Sequence, residues 1–172
     1  NELSDLFREV LLELYAEMKH LDERIQALES KLEALSKQDE NCQRLLSIPG
    51  IGLLTATALI AAIGDISVFK NGRELAAWIG LVPRQHSTGG KPTLLGISKR
   101  GDSYLRTLLI HGGRSVVRTA DKHKDRKSGW VTELAERRGK NIASVAVANK
   151  NARIAWAVLT HKTTYQVTPV AS

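Results

Sequence analysis

The chain has 172 residues, 42% of them hydrophobic and 25% charged. That is the composition of one globular domain plus an extended element, not of a disordered chain. The single cysteine, Cys42, excludes an intramolecular disulfide and a cysteine-rich zinc site, and no uncharged apolar run reaches the roughly 18 residues of a membrane span. The formal charge of +7 conceals an asymmetry: residues 1–40 carry five Lys/Arg against eleven Asp/Glu, residues 41–172 twenty against seven. So basic a half suits a polyanionic partner, above all nucleic acid, which the acidic segment should avoid. The sequence opens NELSDLFREV, with no signal-peptide pattern and no initiator methionine, and reads as a processed chain or a piece of a longer one.

Residues 1–40 read as a coiled-coil arm. Leu11, Met18, Ile25 and Leu32 recur every seven residues, and so do Phe7, Leu14, Leu21, Leu28 and Leu35. As a and d positions they make a narrow apolar seam. Glu17, Arg24 and Lys31 fall at g, and Asp22 and Glu29 at e, where charges select a partner strand. One helix cannot bury this seam alone.

After a break at Asp39–Asn41, a domain is expected over 41–161. Pro49 and Gly50 interrupt an apolar run, and a second, Ala-rich helix follows from Leu53 to Ile63. Ile48-Pro49-Gly50-Ile51-Gly52 resembles the turn of a helix-hairpin-helix motif, in which amides at the second helix's N-terminus meet a DNA phosphate. Gly50 and Gly52 are therefore candidate nucleic-acid contacts. A plain helical corner with a glycine cap is the alternative. Asn71 should cap a helix over Arg73–Ile79, with Trp78 in the core.

Residues 80–101, GLVPRQHSTGGKPTLLGISKRG, read as a long, irregular, basic glycine-rich loop, and such loops usually carry function. Arg84, His86, Lys91, Lys99 and Arg100 could grip phosphates. Ser87 is a candidate nucleophile toward a phosphodiester, with Thr88 the neighbouring alternative: a hydroxyl beside Gly89-Gly90, flanked by cations, can be approached by a bulky substrate. The bland alternative is a serine that only shapes a turn. The segment lacks P-loop spacing.

Asp102 should cap a helix over Ser103–Thr119, with Leu105, Leu108, Leu109, Val116 and Val117 inward and Arg106, Arg114 and Arg118 outward. Residues 84–127 hold eleven Lys/Arg against three Asp, the densest nucleic-acid footprint. Ser128 is expected to cap a short helix ending at Arg138, Asn141 to open a last helix over Ile142–Thr160, and residues 162–172 to fray. The seven carboxylates of residues 41–172 are dispersed, so no two-metal nuclease set is legible. The histidines, His111 included, lack metal-ligand spacing. The expected fold class is mainly α.

Together, Leu45–Gly52, GRELAAWIGLVPRQHSTGGK and GISKRGDSYLRTLLIHGGRS closely resemble the C-terminal domain of the bridge-RNA-guided insertion-sequence transposases, the insertion sequence one-ten family. The resemblance covers roughly residues 45–160. It implies a longer protein whose N-terminal RuvC-like domain binds Mg²⁺; none of that domain is seen here, and no cofactor is expected on this chain. It further implies a serine that joins DNA covalently, donor and target DNA exchanged under a guide RNA, a homodimer or homotetramer, and a place on DNA in the bacterial cytoplasm. The nucleophile maps to the HSTGGK segment: Ser87 is assigned, Thr88 is the alternative where many relatives have a second serine, and Ser98 a third choice. The rival readings are a non-catalytic helix-hairpin-helix adaptor for DNA or RNA and a coiled-coil assembly domain. Alone, the chain should bind nucleic acid without recombining it.

Overall fold

The computed structural model describes residues 4–88 and 91–169 and is mainly helical. In chain order it holds α1 (Asp5–Gln38), α2 (Glu40–Leu46), α3 (Leu53–Ile63), α4 (Gly72–Trp78), β1 (Pro83–Thr88), β2 (Lys91–Ile97), α5 (Ser103–Thr119), α6 (Arg126–Arg138) and α7 (Lys140–His161). Short 3₁₀ turns lie at Ile66–Val68 and Ala120–Lys122. No helix among the described residues is long and apolar enough to cross a membrane.

The arm is one helix that touches α2 and α3, with Leu32 half-buried and the rest of its seam open. Of its residues only Ser36 is buried, and Phe7, Leu11, Leu14, Met18, Leu21, Ile25, Leu28 and Leu35 are all exposed. Asp39 breaks the helix in an extended conformation and caps the next, accepting from the amides of Asn41 and Cys42.

The core forms around α7. Its alanines Ala148, Ala152 and Ala155 are fully buried, and Leu45, Leu59, Leu75, Leu105 and Leu109 from the surrounding helices, with Ile48 from the turn after α2, join the same cluster. Small side chains let a helix be approached from several sides, and the neighbours answer in kind. A Cβ on Gly72 would lie 2.9 Å from the Arg153 backbone, and one on Gly113 would collide with the Ser144 carbonyl. The caps read from sequence hold at Asn71 and Asp102. Three features differ. Asp125, not Ser128, caps α6: its carboxylate accepts from the amides of Lys127 and Ser128 and holds the Ser128 hydroxyl. Trp78 stays 39% exposed and leans on Phe69, ring centroids 5.5 Å apart. The segment expected to fray is pinned as far as the described residues run. The Tyr165 amide donates to Ser47 Oγ at 2.8 Å, and the Arg126 amide donates to the Thr168 carbonyl at 3.2 Å.

Candidate nucleic-acid interface

The turn between α2 and α3 has an anchored side and an open side. Gly50 has φ +90°, and a Cβ there would lie 2.7 Å from Val116 Cγ2 and 2.8 Å from the Gly112 carbonyl oxygen. The two glycine backbones pack directly together, fixing the turn on α5. Asn151 Nδ2 donates to the Pro49 carbonyl at 2.9 Å, fixing it on α7. Gly52 is different: it is exposed, its φ is −95°, no side chain caps α3, and a Cβ would meet nothing within 4 Å. The first amides of α3 thus begin at an open surface.

Residues 80–101 are not the irregular loop expected. β1 and β2 pair antiparallel with Gln85 opposite Leu94, His86 opposite Thr93, Ser87 opposite Pro92 and Thr88 opposite Lys91. The glycines and prolines argued for a loop, and an irregularity between Pro83 and Gln85 broke the alternation that marks a strand. The Gly89-Gly90 pair between two such runs is itself a hairpin signal; those two residues lie outside the described ones. Successive strand positions take opposite faces, so positions 87 and 88 belong to different faces of the ribbon. At the base, Asn149 Nδ2 holds the Leu81 carbonyl at 3.0 Å and Arg106 Nη1 holds that of Ile79 at 3.0 Å. A Cβ on Gly101, with φ +110°, would collide with the Trp78 carbonyl. The ribbon therefore stands on a rigid footing.

Between the ribbon, the start of α4 and α7 lies an open cleft of about 1520 Å³. Among the described residues, Arg73, Arg84, Lys99, Arg138, Lys150 and Arg153 line it, with no Asp or Glu. Its apolar floor includes Leu94, Leu95, Trp130, Ile142 and Trp156. Among the described residues the salt bridges are Lys37–Glu33 and Arg44–Glu40, so none neutralises a cleft cation. Lys150 Nζ stands 4.1 Å over the Trp130 ring. Burial lowers its pKa, and the charges of Arg126 and Arg153 lower it further. Behind it, Lys127 is pushed down to about 8 by burial and by Lys150, with Asp125 pulling the other way. Cations crowded until they depress one another's pKa store repulsion that an arriving polyanion relieves.

The structure thus sorts the predicted residues. Arg84 and Lys99 line the cleft. His86 and Arg100 are exposed on the hairpin and just after it. Lys91, Ser87 and Thr88 lie at its far end by register. Ser98, the third choice, follows β2 at the base, where its hydroxyl accepts from the Arg100 amide at 3.4 Å. Arg114 sits apart, in a smaller cavity with Arg118, Lys140, Asp121 and Glu136. Arg106 is half-buried with Nη1 committed to backbone carbonyls, which makes it an anchor rather than a free cation. His111 is exposed on α5. Arg73, Arg138, Lys150 and Arg153 were missed. The signal for the last two was present, a cation pair three residues apart on an otherwise Ala- and Val-rich helix. Among the described residues no three His, Cys, Asp or Glu gather as a metal set.

Comparison with known proteins follows these features. A family model described as Transposase IS116/IS110/IS902 family matches residues 42–128, the stretch from α2 through the β-ribbon and α5 to the start of α6. Over 164 residues the chain is 53% identical to the transposase for insertion sequence element IS1111A of Coxiella burnetii, covering 95% of this chain and 45% of that one. Over 158 residues it is 52% identical to a probable family 20 transposase of Pseudomonas aeruginosa, covering 92% and 47%. A pilin gene-inverting protein of Moraxella bovis is 42% identical over 69 residues, 38% of this chain and 21% of that one. The chain spans about half the length of the curated relatives it matches most fully.

Proposed function

The chain belongs to the IS116/IS110/IS902 transposase family, and on that premise we propose that it is the DNA-handling, strand-transfer part of a transposase. One observation carries the reading: the family match covers the hairpin turn, the β-ribbon and α5, and Arg73, Arg84 and Lys99 within it share one cleft with Arg138, Lys150 and Arg153 beyond it. In this reading the cleft grips the sugar–phosphate backbone, and α3's open N-terminus adds a sequence-independent phosphate contact. The ribbon's far end brings the nucleophilic hydroxyl, Ser87, or Thr88 one position on. The hydroxyl gives up its proton as its oxygen bonds to phosphorus, and the displaced sugar oxygen leaves and takes up a proton, so one phosphodiester bond replaces another. The fixed charges stabilise the extra negative charge of the transition state.

The divalent metal that the family resemblance implies finds no fitting donor set among the described residues of this chain. No step on this chain is routed through it; in this reading it belongs to a RuvC-like domain elsewhere in the protein. Guide RNA, donor and target DNA, and a dimer or tetramer assembled through α1, complete the proposal.

Covalent capture tests it. The chain joined to the rest of its protein, with guide RNA, Mg²⁺ and both DNAs, should give a protein–DNA adduct that survives SDS. Ser87→Ala should abolish the adduct and Thr88→Ala should not. The reverse pattern keeps the reaction and moves the nucleophile by one residue and to the other ribbon face. Loss of the adduct only in Ser98→Ala would move the chemistry to the ribbon's base. Tight DNA binding with no adduct from the unmutated protein would leave the chain a binding adaptor.

A further inference from the structure

The cleft has a property that backbone gripping does not use. Leu94 and Ile142 are 67% and 49% exposed, and Leu95, next to Leu94 where the register against β1 is irregular and strict alternation of faces lapses, is 46% exposed. All three line the cleft among its six cations. A paired duplex turns phosphates and groove edges outward and keeps its base faces stacked. Leucines set against hydrated phosphates would stay wet and gain nothing. Base faces are the apolar surface of a nucleic acid, and they reach a protein only when unpaired or unstacked.

We propose that the cleft takes nucleic acid in unpaired form, with Leu94 and Leu95 wedged against base faces and Arg73, Arg138 and Arg153 holding the strand's phosphates. This rests on the nucleic-acid reading above and adds the state of the ligand. The footing of the ribbon fits the role. A wedge must not yield when pushed into a stack: the segment leading into β1 is tied down by the Asn149–Leu81 and Arg106–Ile79 contacts, and β2, which carries both leucines, pairs with β1. Charge complementarity favours this occupant over an apolar peptide, which would leave six uncompensated cations against it. Unpaired DNA and unpaired RNA share the chemistry, and the probes separate them.

The test is fluorescence anisotropy with the 172-residue chain and labelled probes of one sequence: duplex DNA, the same duplex with a central unpaired bubble, the single DNA strand and the single RNA strand. Bubble and single-strand probes should bind about tenfold tighter than duplex, the order expected for one or two bases against apolar side chains. The double substitution Leu94→Ser with Leu95→Ser should erase that preference and leave duplex affinity unchanged; both side chains are exposed, so the fold should survive, and an unaltered melting temperature checks it. Arg153→Ala should weaken all four probes alike. Preference for RNA over DNA would name the guide as occupant, and the reverse would name an opened target. Equal affinity for bubble and duplex, or a preference that survives loss of both leucines, overturns the proposal while leaving nucleic-acid binding intact. No binding to any probe at low salt overturns both readings.

Discussion

Lys127 Nζ donates to Asn151 Oδ1 at 2.9 Å, and Asn151 passes the connection on through its amide to the Pro49 carbonyl. Asn151 is fully buried and Lys127 is 9% exposed. One polar thread thus ties α6 and α7 to the hairpin turn, and no carboxylate neutralises the lysine. Replacing Asn151 by Leu keeps the volume and strands both partners. The expected loss is about 2–4 kcal/mol, read as a lower urea midpoint with an unchanged slope.

The same lysine makes stability depend on pH. Its folded pKa of about 8 lies below the ordinary 10.5. Between those values the unfolded chain holds a proton that the folded chain has released, so stability rises with pH across that window and the benefit is absent below it. Cys42 and Tyr165, both raised by burial, act in the opposite direction, so the comparison that isolates Lys127 is with a variant. Lys127→Met should flatten the rise of the urea midpoint between about pH 8 and about pH 10. A variant as pH-sensitive as the unmutated chain would assign the effect elsewhere, with Lys150 first in line.

Gly112, on α5 against the turn, and Gly52, in the turn itself, should behave as opposites. Gly112→Ala drives a methyl into the Gly50 carbonyl between two backbones that cannot retreat. It should destabilise by about 1–3 kcal/mol or more. Gly52→Ala has open space and an ordinary φ, so it should fold normally. If α3's first amides meet a phosphate, the added methyl should still weaken duplex binding several-fold at low salt. Normal binding by Gly52→Ala would return the turn to a plain helical corner.

What was legible before the fold was local. A seven-residue repeat predicted α1. Asp102, three residues ahead of the first inward leucine, Leu105, predicted α5 to its end residues, because capping and periodicity act within a turn or two. The β-ribbon was not legible in the same way: its strands carry prolines and glycines that weaken propensity, and their pairing and footing are tertiary. Tyr165 looked free because the hydroxyl that receives its amide, Ser47, is 118 residues away. The cleft is the extreme case. Its cations lie at 73, 84, 99, 138, 150 and 153, and of these only Arg84 and Lys99 stand out along the chain before α7 gathers the rest. Arg106 shows a second limit: a cation read as a phosphate contact also holds the fold's own carbonyls through Nη1.

That distinction predicts different consequences for arginines of equal charge. Arg138→Ala and Arg153→Ala should each weaken duplex binding and lower the slope of log affinity against log salt by about 0.9, one phosphate contact apiece. Arg44 is already paired with Glu40 at 2.6 Å, and Arg44→Ala should change neither. Arg106→Ala should lower the melting temperature by releasing the Ile79 carbonyl, with its salt slope unaltered. Slopes unaffected by Arg138 and Arg153 would remove the cleft from the nucleic-acid path.

The arm supplies the last prediction. A lone 34-residue helix whose apolar seam is exposed from Phe7 to Leu28 has little tertiary packing to hold that stretch, and helix propensity alone is a weak support. A second seam would bury Met18, Leu21, Ile25 and Leu28 and pair the e and g charges. The chain should therefore self-associate, and sedimentation should report a dimer or larger species. Leu21→Glu with Ile25→Glu should give a monomer whose far-ultraviolet helical signal falls by roughly the arm's share. The melting of the domain should stay unchanged, because α1 buries only Ser36 against it. A monomer at about 50 µM with the seam intact would contradict pairing between copies. The physical demand would remain, since so long an apolar stripe persists in water only with a partner, and the missing strand would then come from another segment or another protein.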